Sequence, residues 1–277
     1  MVKRLLVTAA MLFLLGFSGA AEISAYDKKD LQKLDKFKRN CRNCDLSGAN
    51  LKGMSLRSAN LTNANLEGAD LRGTNLESAN LSKANLRGAN LEKANLHNAN
   101  LQEANLQDAY LRLAKLIRVY AMGADFQGAD LFNSVLRGAV FKHANLQGAN
   151  LEKAYLMSAQ LSFAQLQKAR LHRANLYRAD LQGANLMGTD FSEASLMDAD
   201  FSGANLQNAD FYKAVLQEAY RQHNRPLESY HNETYMRRSY FNHYTIAVYF
   251  YGANLEGMTW VDGIKCQPGS IGRCIRK

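Results

Sequence analysis

Much of what would mark an enzyme is missing from this 277-residue sequence. No glycine-rich loop of the phosphate-cradling kind is present. The six histidines (His97, His143, His172, His223, His231 and His243) are scattered. Three of them, His223, His231 and His243, share one segment, but no carboxylate or cysteine stands at ligand spacing with them. Ser229 beside His231 is chance proximity. No catalytic group, metal or cofactor is therefore expected. β-branched residues are few, which argues against a flat sheet. Prolines number two, cysteines four, and beyond the N-terminus no apolar run is long enough to span a bilayer.

What is present is a period. Every fifth residue from Leu46 to Leu216 carries the same kind of side chain. The 35 slots hold 29 Leu, five Phe (Phe126, Phe141, Phe191, Phe201, Phe211) and one Ala, Ala121. Two residues before each slot stands a small residue, Ala in 29 of the 35. The exceptions are Cys44, Met54, Thr74, Val119, Ser134 and Thr189. Asn or Asp commonly lies between, and the phase never slips.

A fixed internal period outranks every other signal. A helix repeats its apolar face every 3.6 residues and a strand every two. A helix with Leu at every fifth position would smear those side chains around its surface. The remaining solution is a chain that turns a corner every five residues. Four corners close a square coil of 20 residues, with Leu pointing inward, Ala packed beside it and the other three positions outward. Stacked coils share backbone hydrogen bonds at strand spacing, about 4.8 Å. Gly48, Gly68, Gly128 and Gly148 fall two residues after the Leu, where a corner asks for a permissive backbone.

These residues resemble the pentapeptide-repeat family, whose motif is A(D/N)LXX. Near-perfect copies are Ala64-Asn65-Leu66-Glu67-Gly68, Ala69-Asp70-Leu71-Arg72-Gly73 and Ala89-Asn90-Leu91-Glu92-Lys93. The resemblance implies an all-β fold, a right-handed quadrilateral β-helix of almost nine coils, roughly 40 Å long. It implies no activity, because this fold is a scaffold.

The flanks complete the plan. Basic residues Lys3 and Arg4 precede an apolar run over residues 5–17 and the small residues Ser18, Gly19, Ala20 and Ala21, the pattern of an export signal over residues 1–21. A retained N-terminal anchor is the alternative. Leu31, Leu34 and Phe37 recur every three residues within 26–39, which suits a short amphipathic helix. With the Cys41-x-x-Cys44 motif it forms an N-terminal cap, residues 22–43, over an edge that would otherwise pair with another chain. The β-helix then occupies 44–216. An aromatic-rich insert, 217–252, breaks the pattern. A final repeat at Ala253-Asn254-Leu255 and a C-terminal cap with Cys266 and Cys274 fill 253–277. The two cysteine pairs lie at opposite ends of the rod, far beyond the roughly 7 Å reach of a disulfide. Cys41 is therefore expected to pair with Cys44, and Cys266 with Cys274; a small buried thiol at Cys44 is the alternative. Many exported family members share this pair of ends.

Positions 20 apart stack, so outward residues sort into faces. One face carries Asp45, Asn65, Asn85, Asn105, Asp125, Asn145, Asn185 and Asn205, a ladder of side-chain hydrogen bonds to the corners. A second carries Lys52, Arg72, Lys93, Arg112, Lys153, Arg170, Arg173 and Lys213 among acids. A third departs most, with Lys115, Ile117, Val135, Arg137, Tyr155, Met157, Tyr177, Met197 and Val215 outward. Clustered exposed apolar residues are informative where exposed charges are not. This third face is the candidate partner surface. Tyr240 to Tyr251 of the insert is expected to close the rod's final edge and leave that face free; an insert folded down over the stripe is the alternative.

Formal charge is +9, or +7 without Lys3 and Arg4. A basic exported chain suits an anionic envelope component or an acidic protein. The sequence thus reads as a non-enzymatic exported scaffold, periplasmic or secreted, with no nucleic acid expected among its partners. Some pentapeptide-repeat proteins mimic DNA and act on topoisomerases. That alternative needs an acidic rod in the cytoplasm, which the charge and the N-terminus oppose.

Overall fold

The computed structural model describes residues 28–34, 39–216 and 250–271. The export signal, most of the insert and Cys274 lie outside the described residues.

The chain winds into a quadrilateral β-helix. Parallel bridges join each mid-face residue to the one 20 positions later, from Asn40 with Asn60 through to Ser195 with Val215. Each side of a coil donates and accepts across the gap. Leu46 N–H bonds the Asn65 carbonyl at 2.7 Å, and Asn65 N–H returns to the Cys44 carbonyl at 2.8 Å. Each corner is closed by a turn such as Ala49 N–H to Leu46 C=O, 3.0 Å. The third residue of every turn from Asn43 to Lys213 has φ between +53° and +68°. Only 12 of these 35 residues are glycine. For the other 23 the left-handed conformation is unfavourable in isolation. It persists because their N–H groups are spent on the next coil, as Ser58 N–H on the Glu77 carbonyl at 2.8 Å.

Inward slots fill the core. The Leu, Phe and Ala residues named above are buried along the whole rod. Ala121, the one slot without a large side chain, sits below Phe141 and one corner before Phe126, and these two rings meet edge to face at 5.3 Å. Hydroxyl groups in the small slots are all satisfied. Thr74 donates to the Leu51 carbonyl at 2.8 Å, Thr189 to that of Leu166 at 2.8 Å, and Ser134 to that of Leu131 at 2.7 Å. At the upper end Phe191, Phe201, Phe211, Phe250 and Trp260 form a chain of ring contacts.

The two ends are closed differently. Below, helix α1 (Lys28–Gln32) buries Leu34 just beyond it and places Asp30 against the first coil. The Asp30 carboxylate accepts the Asp45 N–H at 2.8 Å, a donor that meets no lower coil among the described residues. Cys41 occupies a Leu slot and Cys44 an Ala slot of the same turn, and the two form a disulfide. Above, the chain re-enters at Phe250, which stacks on Phe201 at 5.3 Å. The last coil therefore begins three residues before Ala253, inside the stretch read from sequence as insert. Asn254 and Thr259 pair in parallel with Asn205 and Asp210 below, and antiparallel with Ile271 and Lys265 above. The top edge is thus taken by the returning segment 265–271; of the stretch expected to close it, residues 240–249 lie outside the described residues. Cys266 is disulfide-bonded, and its expected partner Cys274 lies outside the described residues. Among the described residues no helix is long and apolar enough to cross a membrane.

Candidate binding face

Four faces result, each a column of mid-face residues flanked by corners. On face 1 the column runs from Asp45 through Asn65, Asn85 and Asn105 to Asn205. Its amides serve the backbone. Each Asn or Asp side-chain oxygen accepts the N–H two residues on, as Asn85 Oδ1 from Arg87 at 3.2 Å. The amide nitrogens of Asn65, Asn85, Asn105, Asn145 and Asn185 donate down the ladder, as Asn85 to Asn65 at 3.1 Å and Asn105 to Asn85 at 3.3 Å. This explains the Asn or Asp in the repeat: the short side chain completes an Asx turn that holds the corner.

Face 3 begins in the same manner, with Asn95 donating to Asn75 at 3.2 Å. The ladder then stops. Lys115, Val135, Tyr155, Asn175, Ser195 and Val215 follow in register. Beside them runs the corner column Ile117, Arg137, Met157, Tyr177 and Met197. Tyr155 is 47% exposed and Val215 43%; Lys115 and Arg137 are exposed, while Ile117, Val135, Met157, Tyr177 and Met197 are half-buried in the surface. The residues singled out from sequence are therefore brought to one side of the rod, over five consecutive coil steps.

The corners contain what the period does not reveal. A side chain on the left-handed corner residue leans over the corner of the coil above. Phe163, 55% exposed, lies so close over Gly183 that a β-carbon there would come within 2.6 Å of its ring. Its other neighbour is His143, stacked at 5.4 Å. On the corner of face 3, Arg118 leans in the same way over Gly138, its Cγ 3.6 Å from where a β-carbon would stand. Arg118 thereby joins the cations of face 3, a contact missed in the sequence. The signal was there: a long side chain followed 20 residues later by glycine.

Charge is ordered by the same register. Arg57 pairs with Glu77, Lys83 with Glu103, Arg173 with Glu193 and Arg178 with Asp198, all 20 apart. Arg112 pairs with Asp130 and Arg170 with Glu152, both 18 apart. The Arg173 hydrogen bond holds the Glu193 carboxyl below its ordinary range, as Arg72 does for Asp70. Such exposed pairs add little stability, but they show where the surface charge is neutralised. Among the described residues no group of three or more His, Cys, Asp or Glu is placed to hold a metal ion.

The sequence matches the family described as "Pentapeptide repeats (8 copies)" over residues 40–77, 79–116, 122–156, 154–192 and 194–223. The chain belongs to the pentapeptide-repeat family. Among solved structures it is similar to a trypsin-treated variant of QnrB1, a plasmid-mediated fluoroquinolone resistance protein, with 19% identity, TM-score 0.53, 63% of this chain and 90% of that chain covered. It is also similar to HetL from the cyanobacterium Nostoc sp. strain PCC 7120, a pentapeptide repeat protein involved in heterocyst differentiation regulation. There the identity is 30% and the TM-score 0.31, over 84% of this chain and 96% of that one. No curated protein sequence matches.

Proposed function

We propose that this protein is a non-enzymatic scaffold, exported to the periplasm or beyond the cell, that binds a protein through face 3. The observation that carries this reading is the break in the amide ladder. From Lys115 upward the ladder of stacked amides is gone: among the described residues Lys115, Val135, Tyr155 and Val215 have no side-chain tie to a corner and three of them place apolar or aromatic surface outward, while Asn175 alone keeps its bond to the Tyr177 N–H. A fold that gains nothing from an exposed Tyr155 or Val215 keeps them for a partner. Export rests on the N-terminal pattern of residues 1–21 and on the disulfide at the lower end, a bridge typical of oxidising compartments. The unneutralised cations of face 3 oppose a DNA-mimicking role.

Two measurements test the reading. Tyr155→Ser with Tyr177→Ser is expected to leave the melting midpoint nearly unchanged and to abolish partner capture from cell-envelope extract. A loss of several degrees would mean that the stripe is packed against the protein's own chain. For export, fractionation should recover mature protein outside the cytoplasm; cytoplasmic recovery with an intact N-terminus overturns that part.

A further inference from the structure

Three cations on face 3 stand close together outside the ion pairs described above. Twenty residues above and below Lys115 stand Val135 and Asn95; around Arg118 stand Gly138 and Asn98; around Arg137 stand Met157 and Ile117. None of these is an acid. Lys115, Arg118 and Arg137 are all exposed, and none has an ion pair or side-chain hydrogen bond among the described residues. They occupy two adjacent coils, and Arg118 is folded over Gly138 toward the coil that carries Arg137. In the three columns of this face and corner, no acid occurs between Glu77, held by Arg57, and Asp198, held by Arg178. The cations sit at the lower end of the stripe; Tyr155, Met157, Tyr177, Met197 and Val215 fill the upper end.

Building on the binding role proposed for face 3, we infer that its occupant is a protein segment acidic at one end and apolar or aromatic at the other, lying lengthwise along the rod. Its carboxylates meet Lys115, Arg118 and Arg137, and its apolar side chains cover Tyr155 and Tyr177. From the coil of Lys115 to that of Val215 is five steps, about 24 Å, which roughly seven extended residues span. The segment does not add as a strand, because the face's own backbone groups are already bonded above and below, as Val135 N–H to Ala114 and Leu136 N–H to Tyr155. A lipid surface would meet cations and apolar groups at different depths, whereas here they separate along the length. The chain's own insert is a poor match, since residues 217–249 carry four Arg against three Glu.

The test is selection from a random 12-residue peptide library on the full exported chain. It is repeated on two variants, Lys115→Gln/Arg118→Gln/Arg137→Gln and Tyr155→Ser/Tyr177→Ser. The expected result is peptides with two or more acids to one side of an aromatic or aliphatic run. They should lose about tenfold in affinity on either variant, and similarly in roughly 0.5 M salt for the cation-dependent part. Arg137→Gln alone should act in the same direction to a smaller extent, with an unchanged melting midpoint. Selected peptides without acidic bias, lost on the tyrosine variant but not on the cation variant, overturn this inference and leave the binding face standing. Peptides indifferent to both variants overturn both. If no peptide is enriched while phosphatidylglycerol vesicles bind in a manner lost with the cation variant, the occupant is a membrane and the inference falls. Concentration-dependent self-association lost in the cation variant assigns the face to a second copy, and overturns it equally.

Discussion

Faces 1 and 3 share one backbone, one register and one buried core, yet their outward residues do opposite things. Asn85 is bonded to the corner beside it, to Asn65 below and to Asn105 above. Tyr155 stands in the matching position on its face and has only its backbone in the ladder. The difference teaches where selection for folding ends. Inward slots and corner ties are dictated by the coil, whereas a mid-face residue that abandons its ties is free to be chosen for something else.

The largest test of that division is inward against outward at one corner. Leu136→Ala should cost roughly 2–5 kcal/mol, since neighbouring coils cannot close on the cavity. Arg137→Ala, one residue on, should stay within about 0.5 kcal/mol. Equal shifts in the denaturation midpoint would break the inward–outward assignment. A smaller effect separates the two faces. Asn85→Ala should cost about 1 kcal/mol through its lost hydrogen bonds. Tyr155→Ser should cost almost nothing by the same measurement. Asn85→Ala as neutral as Tyr155→Ser would remove the distinction between a structural and a displayed face.

The smallest effect lies at the lower end and depends on pH. The Lys33 hydrogen bond, and then the Asp45 N–H, hold the Asp30 carboxyl below its ordinary pKa. A lowered folded-state value means the contribution is complete above the unfolded pKa of about 3.9 and is lost as pH falls through the folded value. Acid titration of stability should therefore show a component in the wild type that Asp30→Asn lacks. Identical pH profiles for the two proteins would show that the carboxylate does not tie α1 to the first coil.

Much of this architecture is legible in the amino-acid sequence. The five-residue period identifies the buried Leu and Ala columns, because a side chain that must fill the same place in every coil recurs at the same interval. The grouping of Lys115, Val135, Tyr155 and Met197 on one side follows from the same arithmetic, and the pairing of Cys41 with Cys44 from the length of the rod. What stays hidden is decided off the period. The lean of Arg118 over Gly138 and of Phe163 over Gly183 comes from the left-handed corner, a conformation that 23 non-glycine residues adopt without any sequence flag. Asp30 reaching Asp45 is a single contact between non-repeating and repeating segments. The antiparallel return of residues 265–271 occurs once, so no column announces it. The helix read over 26–39 is found as the five residues of α1; Lys33 and Leu34 follow as a turn bonded back to Asp30 and Leu31, and residues 26–27 and 35–38 lie outside the described residues.

The constant step of 20 residues has an engineering consequence. Length and angle of this rod are separate dials. Excising 20 residues, for example 76–95, shortens it by about 4.8 Å and leaves every column above aligned with every column below. Excising five keeps each slot in phase but turns everything above by a quarter revolution. Made between Arg137 and Tyr155, such a cut would carry the tyrosines round to a neighbouring side and leave the cations where they are. The two halves of the stripe would then survive intact while pointing in different directions.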